Sequence, residues 1–323
     1  MSYVENLKCK VLSYGECSKE EALALYNEPL EELCSSANEI RKHFCGNQFD
    51  ICTIINGKSG RCSENCKFCA QSAHNHTNTE EYPLLTSDEI VKAAKQNAKQ
   101  GVLRYSIVTS GKRLSDDEVD EMCEAVKNIK KESNISVCVS FGLLNENQYK
   151  KLKDAGVSRV HNNLETSRRN FSNVCTTHTF DDKITAIRAA QSAGLSVCSG
   201  GIMGICETVE DRIDMAFTLS ELKIKSVPMN ILNPISGTPF ESNKKLTNEE
   251  IRRIVAIYRF ILPTASIRLA GGRGLLKDKG KSCFLSGANA AISGDMLTTS
   301  GITVKTDMKL LKDLEYEVKL CNE

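Results

Sequence analysis

The sequence predicts an α/β fold: a single (β/α)8 barrel of the TIM type. A helical extension over residues 1–45 precedes it, the barrel spans 46–300, and a C-terminal tail or helix over 301–323 packs on it. Three observations carry that expectation. Short apolar runs alternate with amphipathic helical stretches about eight times, the rhythm of parallel βα units closing on themselves. Glycines stand where helices hand over to strands, at Gly101, Gly156 and Gly194, where a left-handed residue turns the chain. No Pro/Gly/Ser-rich linker, charge block or low-complexity tract divides the chain. A doubly wound open sheet is the alternative reading of the same alternation.

In order along the chain, the strands expected after the helical N-terminus are FDICTII (49–55), VLRYSIV (102–108), ISVCVSF (135–141) and VSRVHNN (157–163). LSVCSGGI (195–202), SVPMNIL (226–232), SIRLA (266–270) and NAAIS (289–293) complete the set. Helical patterns fill the intervals at 87–100, 115–132, 145–155, 179–193, 207–222 and 247–262. Ser87, Ser115, Asn145 and Thr247 are the expected caps, because their short side chains accept from first-turn N–H groups.

Composition narrows the function classes. A formal net charge of +1 provides no overall field for nucleic acid or an anionic membrane. No run approaches about 18 apolar residues, and the opening MSYVENLKCK lacks the apolar stretch of a signal peptide. The expectation is a cytoplasmic protein with neither nucleic acid nor membrane as partner. Fifteen cysteines in 323 residues are then out of proportion, and in a reducing compartment they point to metal or redox chemistry. Cys9, Cys17, Cys34 and Cys321, in helical or terminal segments, read as packing residues.

The stretch GRCSENCKFC directly follows the first strand, at the barrel end where function gathers. It holds Cys62, Cys66 and Cys69 in CxxxCxxC spacing. A closed zinc site or a fully protein-capped iron–sulfur cube needs four ligands. Two readings stand: a four-iron cube with one iron left open, or a zinc loop completed by His74 or His76 of QSAHNH. The lack of a second CxxC unit favours the cube.

This motif resembles that of the radical S-adenosylmethionine superfamily. Within it, seven segments resemble the biotin synthase family in order and spacing: INGKSGRCSENCKFCAQS, VHNNLETS, VCSGGIMG, VPMNILNPISGTPF, IRLAGGR, SGANA and MLTTSG. The resemblance implies a sulfurtransferase that converts dethiobiotin to biotin. Cys62, Cys66 and Cys69 would hold a [4Fe–4S] cube whose open iron takes S-adenosylmethionine, and its cleavage would yield methionine and a 5′-deoxyadenosyl radical. Two unactivated carbons would lose hydrogen, and a sacrificial auxiliary cluster in the barrel would supply the sulfur. An electron donor such as flavodoxin or ferredoxin, and a homodimer, are implied as well.

The same resemblance assigns further residues. Phe68 lies against adenine, and Gly200 and Gly201 let a cofactor approach the backbone, although glycines there also serve as plain turns. Glu165 stands where an Asp usually meets the ribose. Lys183 stands where an Arg is common near the methionine carboxylate, without that residue's bidentate fork; a solvated helix face is its other reading. Asn163 and Asn230 match the amides that bind the ureido ring, which needs donors and acceptors together. Thr298 and Thr299 match the site of the valerate carboxylate, in a segment where a turn would favour them equally.

For the auxiliary cluster, Cys138, Cys198 and Arg268 match three of the family's four ligands. Ser106 stands where the remaining cysteine is expected, and a hydroxyl is a poor substitute for a thiolate. Cys52, on the neighbouring first strand about 5 Å away, is the expected replacement, with Cys175, Cys206 and Cys283 as rivals. The rearrangement leaves the cluster open between [2Fe–2S] and a larger four-iron form with an extra sulfide. Cys52, Cys138, Cys198 and Arg268 fall on strands one, three, five and seven, which share a layer in such barrels. Ser106, on an even strand, is expected in a neighbouring layer. Hydrogenase-maturation and methylornithine-type barrels share the cube, but the asparagine pair and the CSGGI cysteine argue against them. From another class, a zinc-stabilised binding protein remains as a reading.

Overall fold

The computed structural model describes residues 1–322. The helical N-terminus resolves into α1 (Tyr3–Leu12), α2 (Lys19–Leu25) and α3 (Leu30–Cys45). Then follow β1 (Gln48–Lys58), α4 (Ser87–Lys99), β2 (Arg104–Thr109), α5 (Asp116–Glu132), β3 (Ser136–Ser140), α6 (Glu146–Ala155) and β4 (Arg159–His161). The second half runs α7 (Phe171–Val174), α8 (Phe180–Ser192), β5 (Ser196–Cys198), β6 (Gly201–Met203), α9 (Val209–Glu221), β7 (Ser226–Ile231), α10 (Asn248–Ile261) and β8 (Ser266–Leu269). α11 (Lys281–Phe284), β9 (Ala290–Ser293), α12 (Val304–Asp313) and β10 (Glu317–Val318) complete it.

The strands pair in parallel around a ring that closes between β9 and β1, with β5 and β6 sharing the fifth stave. The expected closed eight-stave barrel is therefore found, and the open sheet is not. Each residue's alternation along a stave sends one side chain to the lumen and the next to the helices. Ile51, Tyr105, Val137, Val139, Val160 and Val227 form part of the fully buried shell between sheet and helices.

The helices start where the sequence offers reciprocal caps. Ser115 with Glu118, Asn145 with Gln148 and Thr247 with Glu250 close capping boxes at α5, α6 and α10. At α4 the cap is Thr86 rather than Ser87, because Glu89 sits three residues after Thr86 and completes the box. Gly101, Gly156 and Gly194 all adopt positive φ, as the strand entries require.

Two departures position the site. The expected strand 195–202 is interrupted at Ser199 and Gly200, so that β5 meets β7 only at Cys198 and Ser226 before β6 resumes. Opposite the break stands Pro228, which has no N–H to donate to the ladder. At the other end, β10 pairs with the start of β1, Gln48 to Glu317 and Phe49 to Val318. The tail then crosses the barrel floor, where Arg159 donates to the carbonyls of Cys321 (2.9 Å) and Asn322 (2.6 Å). Cys17, Cys34 and Cys321 are buried as packing residues, but Cys9 is exposed, on the outer side of α1. Among the described residues, no helix is long and apolar enough to cross a membrane.

Candidate active site

The three-thiol loop leaves the C-terminal end of β1. Its shape is imposed by backbone bonds: Cys62 donates to the carbonyl of Gln71 (3.0 Å), Ala73 to that of Cys62 (2.8 Å), and Cys69 to that of Cys66 (3.1 Å). Gly60 adopts φ +78°, and a Cβ there would lie 2.6 Å from Glu81 Cγ. From across the barrel mouth, Gly237 accepts from His76 N–H at 3.0 Å; its φ is +84°, and a Cβ would come within 1.9 Å of the His76 carbonyl. Only glycine fits that contact. All three loop thiols are half-buried, and burial pushes the Cys69 thiol up to about 11. Three thiols on one anchored loop fit a cube that takes a thiolate on each of three irons, since ligands on different irons need not touch one another.

The zinc alternative does not assemble. The ring of His74 is exposed and bonds the Ser63 carbonyl at 3.0 Å, and among the described residues neither His74 nor His76 comes together with the loop thiols as a ligand group. Instead, Cys66 gathers Cys175 and His178, their donor atoms all within 4.8 Å of one another.

Beneath the loop, a cavity of about 240 Å³ descends into the barrel. Phe68, Asn230, Thr298 and Thr299 line it together with Cys52, Ser106, Cys138, Cys198 and Arg268. The lumen parity of each stave explains this convergence: Asp50, Cys52 and Ile54 share one face of β1, and Arg104, Ser106 and Val108 one face of β2. Cys52, Cys138, Cys198 and Arg268 are only 5%, 3%, 6% and 2% exposed, so a group bound between them would be sealed from bulk water.

The registers refine the layer picture. Ser106 is the ladder partner of Cys138, at its own level and not in a separate layer, whereas Cys52 is partnered by Arg104. A parallel barrel's stagger lets neighbouring staves contribute side by side. Of the rivals to Cys52, none lines this cavity: Cys175 sits beside Cys66, Cys206 is exposed, and Cys283 is buried in α11.

The floor of the barrel is charged. Asp50, fully buried, faces Arg268 at 3.0 Å, Arg104 at 3.5 Å and Arg159 at 3.6 Å. Burial alone would raise its carboxyl, but Arg268, Arg104 and Arg159 outweigh it and hold the group down at about 2. Among the described residues, three guanidiniums gather on this one carboxylate in a dry space, a setting that suits an anionic group bound above them. The thiols above can supply it. Burial raises Cys52, which takes a bond from Arg268 at 3.3 Å, and pushes Cys138 up to about 12. Burial raises Cys198 too, but the His161 side chain and the charges of Arg268 and Arg159 prevail and bring it down to about 6. A thiolate-held, negatively charged cluster fits this donor set and this charge.

Other expected residues are placed differently. Asn163 does not line the cavity; its amide accepts from Gly200 N–H (3.0 Å) and donates to Glu165 (3.3 Å). Asn230 does line it, held by Gly201 and Gly271. Gly200 and Gly201 are required by the chain's own backbone, since Cβ atoms there would meet the carbonyls of Pro228 at 2.0 Å and Glu165 at 2.4 Å. Glu165 adopts φ +69°, an uncommon conformation for a side-chain-bearing residue. Lys183 is half-buried and donates to Asn162 at 3.4 Å, so it is not a purely solvated position.

Sequence reasoning missed Asp50, Arg104, Arg159 and His161. The signal available was parity: Arg159 and His161 flank the outward Val160, as Asp50 and Cys52 flank Ile51. Polar residues at lumen positions of otherwise apolar staves are expensive unless paired, and so mark a site.

A closed parallel barrel bearing a three-cysteine loop after its first strand defines a radical S-adenosylmethionine enzyme, and residues 58–219 match the Radical SAM superfamily. Residues 228–317 match the Biotin and Thiamin Synthesis associated domain. The chain is 60% identical over 317 residues to a biotin synthase of Brachyspira hyodysenteriae, covering 98% of this chain and 95% of that one. It is 58% identical over 320 residues to a biotin synthase of Akkermansia muciniphila, covering 99% and 100%. The chain belongs to the biotin synthase family. It is thus a radical S-adenosylmethionine sulfurtransferase, of a family that works with a [4Fe–4S] cluster, S-adenosylmethionine and an auxiliary iron–sulfur cluster. Among solved structures, methylornithine synthase has the same fold, with a TM-score of 0.83 at 21% identity over 97% of both chains. A maturase of the [FeFe]-hydrogenase also scores 0.83, at 18% identity over 99% of this chain and 76% of the other.

Proposed function

We propose that this chain carries out its family's reaction, the conversion of dethiobiotin to biotin by radical sulfur insertion, with the following division of labour. Cys62, Cys66 and Cys69 hold the cube, and Cys52, Cys138, Cys198 and Arg268 hold the auxiliary cluster. The two clusters supply, when bound, the electron that cleaves S-adenosylmethionine and the sulfur that is inserted. Phe68 and Glu165 orient the cofactor at the mouth, and Lys183 assists through Asn162. Asn230 presents its amide to the ureido ring, while Asn163 acts from behind by fixing Gly200 and the Glu165 carboxylate. Thr298 and Thr299 receive the carboxylate end at the rim. Arg104 and Arg159 balance the charge of the buried thiolates, and Asp50 holds the three guanidiniums together against their mutual repulsion.

The observation that carries this reading is the convergence of three buried thiols and Arg268 on the cavity whose mouth bears Phe68 and Asn230. We further propose a cytoplasmic setting, a flavodoxin or ferredoxin as electron donor, and a homodimer; the number of unpaired thiols suits a reducing compartment. Anaerobic incubation with reductant, dethiobiotin and S-adenosylmethionine is expected to yield biotin together with methionine and 5′-deoxyadenosine. Formation of 5′-deoxyadenosine with dethiobiotin left unconsumed would overturn the substrate assignment.

A further inference from the structure

Cys66 has neighbours that its role in the cube does not use. Its Sγ, the Cys175 Sγ and a ring nitrogen of His178 all fall within 4.8 Å of one another, in the junction between the three-thiol loop and the turn that precedes α8. The Cys175 sulfur is 3.3 Å from His178 Nδ1. A tetrahedral zinc-like ion, about 2.3 Å from sulfur and about 2.0 Å from nitrogen, holds such a pair about 3.6 Å apart. Only a few tenths of an ångström of adjustment separate the two arrangements.

The junction is built to hold its shape. Asn65 Oδ1 accepts from the backbone N–H groups of Thr176 (2.9 Å) and Thr177 (3.3 Å), and Lys67 N–H donates to the Val174 carbonyl (3.0 Å). Glu64 Oε2 lies 2.5 Å from His178 Nδ1 and accepts from Thr177 Oγ1 at 2.8 Å. A carboxylate therefore stands beside the nitrogen that would face an ion. Cys175 and His178 are 3% and 7% exposed, which shields the position from competing water. Two thiolates and an imidazole select borderline-soft divalent ions over magnesium and calcium.

We propose that in the cluster-free protein Cys66, Cys175 and His178 form a mononuclear site for a divalent cation of the zinc and cobalt class. An ion there and the cube exclude each other, because both need Cys66. The exclusion rests on the reading of Cys62, Cys66 and Cys69 as cube ligands; the ion site itself does not.

Titration of iron-free, full-length Cys62→Ser/Cys69→Ser protein with Co2+ under anaerobic conditions tests the site without the rest of the triad. One ion per chain is expected, with tetrahedral ligand-field bands and charge-transfer intensity for two thiolates. Adding Cys175→Ser or His178→Ala to that background should weaken binding by more than the about ten- to hundredfold that loss of an outer-shell partner costs, with far-ultraviolet circular dichroism unchanged. Absence of the bands in the double variant, or an unaltered spectrum after either addition, would overturn the site; the latter would move the ion to Cys52, Cys138 and Cys198. In the otherwise unaltered chain, one equivalent of Zn2+ should retard reappearance of cluster absorption during anaerobic reconstitution, and Cys175→Ser should remove that retardation. Equal retardation in both proteins would refute the exclusion while leaving the cobalt result to judge the site.

Discussion

Replacing Asp50 by Asn tests the floor of the barrel most directly. The side chain is isosteric and keeps an oxygen for the Cys321 N–H, which donates to Asp50 Oδ2 at 3.3 Å. What it removes is the carboxylate that, among the described residues, faces Arg268, Arg104 and Arg159 together, at 3.0, 3.5 and 3.6 Å. The carboxyl lies at about 2 in the folded protein against an ordinary value of 3.8, a difference corresponding to about 2 kcal/mol of folding free energy. Breaking a buried pair outright costs about 3–5 kcal/mol, because the remaining charge is left uncompensated. Asp50→Asn is therefore expected to lower the stability of iron-free protein by about 2–5 kcal/mol, read from reductant-containing urea unfolding at neutral pH. The sign with pH follows from a depressed folded value: the carboxylate's contribution is complete above the unfolded value of 3.8 and is lost as pH falls through about 2. The gap between native protein and variant should accordingly narrow between those pH values. It should also shrink when the auxiliary cluster is bound, since anionic thiolates then take over the compensation. A neutral-pH difference below about 0.5 kcal/mol in iron-free protein, the size of an ordinary surface substitution, would refute the electrostatic account of the floor.

Three further outcomes follow from the site. Cys52→Ala is expected to lose the auxiliary iron and biotin formation while keeping cofactor cleavage, whereas Ser106→Ala keeps the iron of both clusters; full iron in Cys52→Ala would remove Cys52 from the ligand set. Changing Cys62, Cys66 or Cys69 singly to Ala should abolish 5′-deoxyadenosine formation with the circular dichroism of the barrel unchanged, and retained cleavage in any one of them would contradict its assignment. Gly237→Ala would place a Cβ 1.9 Å from the His76 carbonyl at φ +84°, so a loss of about 1–3 kcal/mol in stability and weaker S-adenosylmethionine binding by calorimetry are expected; affinity equal to the native protein's would show that the Gly237 contact does not hold the three-thiol loop.

The chain's sequence by itself determined the barrel, because strand and helix periods, helix caps and glycine stops are local properties that each segment carries alone. Thr86 displaced Ser87 as a cap for an equally local reason, the position of Glu89. The three-thiol loop was legible because its ligands lie within ten residues, whereas Cys138 and Cys198 were legible only through the family resemblance, and Cys52 through the serine at 106. Tertiary structure decided whatever depends on the stagger of the closed sheet. That Cys52 is paired with Arg104 while Ser106 stands beside Cys138 is a matter of register between staves, which no single segment encodes. Asn163 and the two glycines of CSGGI turned inward on the chain itself because the ladder fails opposite Pro228 and lets Gly200 press against it. Asp50 reads in sequence as a lone charge in an apolar run; only barrel closure brings three arginines from β2, β4 and β8 onto it. Cys175, more than a hundred residues from Cys66 in the chain, meets it only because α7 folds under the loop. Charge compensation and ligand geometry act over a few ångströms, and those ångströms exist only once the ring has closed.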